Sequence, residues 1–64
     1  MKSPPRLFAD ITAILENLHG LAVEGQDGSL HDNVRRVLVA DLASGVARLQ
    51  RKLAKIGRRL DVAP

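Results

Sequence analysis

Histidine is the side chain best suited to carry a proton or hold a metal near neutral pH, and this chain has two, His19 and His31. Glu16 and Asp32 stand close to them in sequence. The spacing is not the i, i+4 pair that sets two imidazoles on one helix face, and the chain has no cysteine to complete a ligand set. The two rings would meet only if they flanked the same turn of a helical hairpin. His19 has an electrostatic reason to lie at a helix C-terminus in any case. Ser3, Ser29 and Ser44 are the serine hydroxyls, and each is explained as a helix cap or a bend. Gly20, Gly25 and Gly28 gather in GLAVEGQDG, but without a GxxxxGK[ST] pattern or a preceding strand the segment reads as a connector, not a phosphate cradle. The expectation is a chain with no catalytic residues, no metal site and no cofactor: not an enzyme.

Charge is where the chemistry concentrates. Residues 1–45 hold six acids against four bases, and residues 46–64 hold six bases against Asp61 alone. Those bases are Arg48, Arg51, Lys52, Lys55, Arg58 and Arg59. On a helix Arg48, Lys52, Lys55 and Arg59 step four, three, four and form one ridge, with Arg51 and Arg58 on the outer face. Such a ridge calls for an acidic partner. An acidic protein surface, including another copy of the chain, is the first expectation. An anionic membrane surface is the second, since GVARLQRKLAKIGRRL has the pattern of a cationic amphipathic helix but no Trp or Phe anchor. Nucleic acid is third: phosphates could be held, but no aromatic is present in the segment to stack on bases and no base-reading motif accompanies the charge.

The ridge needs a helix to carry it. From Ser29 to Leu60 the apolar residues Leu30, Val34, Leu38, Leu42, Val46, Leu49, Leu53, Ile56 and Leu60 step by fours and threes, one stripe of a long helix. Ser29-Leu30-His31-Asp32 has the S-x-x-D form of a capping box and marks the start at Ser29. Ser44-Gly45 is the weak point, because a mid-helix glycine costs roughly 1 kcal/mol relative to alanine. The apolar steps pass through it without a phase jump, so a continuous helix is expected; the alternative is a three-helix bundle broken at Ser44-Gly45. A first helix is expected over about 4–19, capped at Ser3, opened by Pro4-Pro5 and closed at Gly20. Its face carries Phe8, Ile11, Leu15, Leu18 and Ala22, widened by Leu7, Ile14 and Leu21. A loop over 20–28 and a tail over 61–64 complete a single small helical domain.

This all-α hairpin is short. A first helix of that length covers the Leu30 to Leu42 half of the second and leaves Val46, Leu49, Leu53, Ile56 and Leu60 bare. Those five step three, four, three, four, the seam of a coiled coil. A chain of 64 residues buries only roughly 60% of its unfolded surface, and small chains without staples rely on close helix packing or on partners. Self-association through that seam is therefore expected, as a dimer first. The start, MKSPPRLFAD, has charge and proline where a signal sequence needs an apolar run. No apolar stretch approaches the roughly 18 residues of a transmembrane helix. A cytoplasmic protein is expected.

A small amphipathic N-terminal helix with RLFADI near its start, followed by a coiled-coil tail, resembles bacterial membrane-associated accessory factors that trimerise through such tails. The acidic motif of that family's central region is absent here, so membership is not drawn from the resemblance.

Overall fold

The computed structural model describes residues 3–60. Within them the chain forms two α-helices, α1 (Pro4–Gly25) and α2 (Asp32–Arg59), packed against each other as a hairpin 46 Å long. This is the all-α hairpin that the three-and-four spacing demands. The helix α2 is continuous through Ser44 and Gly45, so the three-helix alternative does not form. The 61–64 tail lies outside the described residues.

Three contacts fix the register. Leu18 sits over Gly45, Leu38 lies beside Gly25, and Lys52 Nζ reaches Asp10 Oδ2 at 3.1 Å. Moving down one helix by three or four residues moves up the other by as many, which sets Leu7 level with Ile56 and Ile14 level with Leu49. The α1 row is thus Leu7, Ile11, Ile14, Leu18, Leu21, Gly25, and the α2 row is Leu38, Leu42, Gly45, Leu49, Lys52, Ile56. Both step four, three, four, three, four, the spacing of coiled-coil packing. Leu7, Ile14, Leu38 and Ile56 are the buried apolar side chains of the interface.

Gly45 is buried, and its role is packing. A Cβ there would stand 3.3 Å from Leu18 Cγ and closer still to Leu18 Cδ2. The missing side chain is the space that Leu18 fills. What the sequence presents as the weak point of α2 is the socket that lets α1 approach.

Two boundaries differ from the sequence expectation. The helix α1 does not end at Gly20; it runs to Gly25 and is 22 residues long against 28 for α2. Gly20 faces open space on the outer side, while Leu21 and Gly25 continue the packed row. Their burial outweighs a glycine penalty of roughly 1 kcal/mol. The consequence is large: α1 covers α2 from Leu38 to Ile56, not only its first half. Likewise α2 begins at Asp32 with His31 as its cap residue, not at Ser29. The Ser29 side chain is already committed, since its hydroxyl and its backbone N–H both donate to Asp27 Oδ1, at 2.7 and 2.9 Å. Ser3 does occupy the cap position of α1, in extended conformation, without a side-chain cap bond.

Candidate functional site

In two antiparallel right-handed helices, the residues that follow every second packed position, after 7, 14 and 21 on α1 and after 38, 45 and 52 on α2 and its next repeat, fall on the same flank. On α1 these are Phe8, Leu15 and Ala22; on α2 they are Val39, Val46, Leu53 and Leu60. All are exposed. Phe8 and Leu53 keep 54% and 52% of their surface, although both are large and apolar. The register interleaves them along the rod, so the two helices jointly present one apolar strip.

The five residues expected to form a single seam are therefore divided. Leu49 and Ile56 turn toward α1, and Ile56 is only 6% exposed. Val46, Leu53 and Leu60 face outward and join Phe8, Leu15 and Val39. In the sequence Phe8 and Leu15 belong with Leu7, Ile14 and Leu21 to one broad apolar face, suited to packing against more than one neighbour. Leu7, Ile14 and Leu21 recur at the same seven-residue spacing as Phe8, Leu15 and Ala22, so only the contacts with α2 separate the two rows.

The opposite flank is charged. Asp10, Ala13, Ile14, Asn17, Arg48 and Lys52 line a shallow open recess of about 460 Å³ there. Lys52 and Asp10 form an ion pair across it, with side chains 24% and 29% exposed. Lys52 thus holds α1, and its ammonium is committed within the hairpin. Arg48, Lys55 and Arg59 follow the same flank and are exposed; Arg51 and Arg58 are exposed on the rear of α2. Arg6, exposed on α1, falls at the same end of the rod. The ridge read from the sequence is thus present as a surface, with Arg6 added and Lys52 engaged.

His19 and His31 are not brought together. Because α1 continues past His19, that ring lies level with Ser44, while His31 stands at the start of α2. Among the described residues no group of three or more His, Asp or Glu side chains is placed to hold a metal ion.

At the closed end Arg35 clasps the connection over 26–31. Its Nη2 donates to the Asp27 carbonyl and its Nη1 to the Leu30 carbonyl, both at 2.8 Å, and Nη1 is 3.4 Å from Asp32 Oδ1. The hydrogen bond from the Ser29 hydroxyl, then that from the Ser29 N–H, and the nearby guanidinium hold the Asp27 carboxyl below its usual range.

Among the described residues, no helix is long and apolar enough to cross a membrane. Comparison with protein-family models, with characterised proteins and with solved structures finds no match to this chain.

Proposed function

We propose that this chain is a non-catalytic helical assembly protein, which self-associates through its apolar flank and docks an acidic protein partner through Arg48, Arg51, Lys55, Arg58 and Arg59. One observation supports the reading above the others: the apolar strip and the cations lie on opposite sides of the hairpin, so both can be occupied at once. Large apolar side chains left half exposed on so small a chain favour a covering partner. The uncommitted guanidinium groups favour carboxylates, which they bind in paired hydrogen bonds. Arg48, exposed at the edge of the shallow recess, is open to an incoming carboxylate. A cytoplasmic setting belongs to this reading and accords with the cysteine-free sequence.

The test of docking is a double reversal, Arg48→Glu with Lys55→Glu, which leaves the Lys52–Asp10 pair in place. Binding of an acidic peptide such as a glutamate-rich 15-mer, followed by calorimetry, should fall at least tenfold while helix content holds. Unchanged binding removes the docking half of the proposal. Flotation with anionic vesicles and a gel shift with random duplex DNA run beside it. Tighter binding to either than to the peptide replaces the acidic protein with a membrane surface or with nucleic acid.

A further inference from the structure

We infer that the apolar flank is covered by a second copy of this chain lying antiparallel to the first, so that two hairpins form a four-helix bundle. The inference rests on the self-association part of the function proposed above and adds the occupant and its direction. The strip is built for a like surface. Phe8, Leu15, Val39, Val46, Leu53 and Leu60 run along the rod in two rows, and a two-fold axis through the middle of such a strip matches it to itself. None of these positions is charged, so two copies meet without burying an ion.

Direction follows from where the fold puts charge. At the open end, residues 4–14 and 48–60 hold seven bases and one acid, Asp10. Toward the closed end, residues 15–47 hold five acids, Glu16, Glu24, Asp27, Asp32 and Asp41, against Arg35 and Arg36. Folding α1 back leaves this polarity intact, because its first half contributes only Arg6 and Asp10. The hairpin is an electrically polar rod. Laid parallel, two copies would stack cationic end on cationic end; laid antiparallel, each cationic end meets the acidic end of its neighbour.

A lipid surface fits the same strip less well. With the apolar flank on a bilayer, the charged flank would stand on the far side of a rod whose cross-section is 18 × 17 Å. Arg48, Lys55 and Arg59 would therefore point away from the headgroups.

The experiment uses the full chain at tens of micromolar. Sedimentation should give a dimer, Leu53→Asp should return it to monomer, and raising the salt should weaken association several-fold. Gly28→Cys gives a unique labelling site in this cysteine-free chain, at an exposed position where a side chain meets open space. Spin labels there should lie at a separation approaching the 46 Å length of the hairpin. A dimer whose labels sit within roughly 10–20 Å, one or two helix diameters, overturns the antiparallel arrangement and leaves self-association standing. A monomer overturns both, and a trimer or tetramer overturns the two-copy bundle. Vesicle binding that is lost in Leu53→Asp, from a chain that sediments as a monomer, transfers the strip to lipid.

Discussion

The two flanks of this hairpin are built on the same repeat and differ by one step around each helix. The residue after every second packed position is Phe8, Leu15 or Ala22 on α1 and Val39, Val46 or Leu53 on α2, with Leu60 one repeat further on, all apolar. The other flank carries Asp10, Asn17, Arg48, Lys55 and Arg59, and there the helices are joined by an ion pair. One side of the molecule is thus closed by its own charges, and the other offers apolar surface that the hairpin does not cover. Helical periodicity alone describes both as amphipathic; the difference lies in which of two adjacent rows is packed inside.

Neighbouring residues in different rows give the sharpest way to break that comparison. Ile14 is buried and Leu15 is half exposed. Ile14→Ala should cost about 2–5 kcal/mol, the range for emptying a core position, and should appear as loss of the thermal transition by circular dichroism. Leu15→Ala should lower stability only in proportion to assembly, so its effect should shrink as the protein is diluted. Equal and concentration-independent losses at the two positions would mean that the rows are wrongly assigned.

The charged flank gives a smaller effect. Lys52→Glu places two carboxylates together across the helices, and Asp10→Lys places two ammonium groups there. Each alone should destabilise the hairpin, and the double swap should recover about 1 kcal/mol of coupling, the upper range for a partly exposed pair. Chemical denaturation of the four proteins measures it. A coupling of zero would show that the pair contributes nothing to closing that side.

The smallest effect belongs to the connection, which serves both flanks equally. Asp27 is held below its usual carboxyl range by the Ser29 hydroxyl first, then by the Ser29 N–H and Arg35. A depressed value in the folded chain means stabilisation that is present above the ordinary value near 3.9 and lost as pH falls through the lower, folded one. Carboxyl carbon shifts followed by NMR should show Asp27 titrating below the ordinary aspartate value, and Ser29→Ala should move it upward. No movement in Ser29→Ala would remove the hydroxyl as the cause.

The fold was legible because Leu, Ile and Val recur at threes and fours with turn residues between two such runs. The ridge of Arg48, Lys55 and Arg59 was legible for the same reason. The choice of packed row was not. On α1, the set Phe8, Ile11, Leu15, Leu18 and the set Leu7, Ile11, Ile14, Leu18 obey the same spacing, and only contacts with the other helix select between them. Gly20 misled because a glycine signals a helix end only when nothing beyond it is packed; Leu21 and Gly25 are packed. Ser29 misled because Asp27, two residues earlier, claims its hydroxyl. In each case the deciding group lay outside the local pattern.

Gly45 has one more consequence, for how the chain finds its pairing while folding. A repeat of seven is ambiguous: sliding α1 along α2 by one repeat would again set apolar residues against apolar residues. Such a slip would carry Leu18 away from Gly45 and place it against Leu38 or Lys52, where a full side chain already stands. Gly45 would then face Ile11, equal in volume to Leu18 but branched at Cβ, or Gly25, which leaves a void. A single absent side chain therefore works as a key, rejecting misaligned collapse before the last turns of the helices zip together.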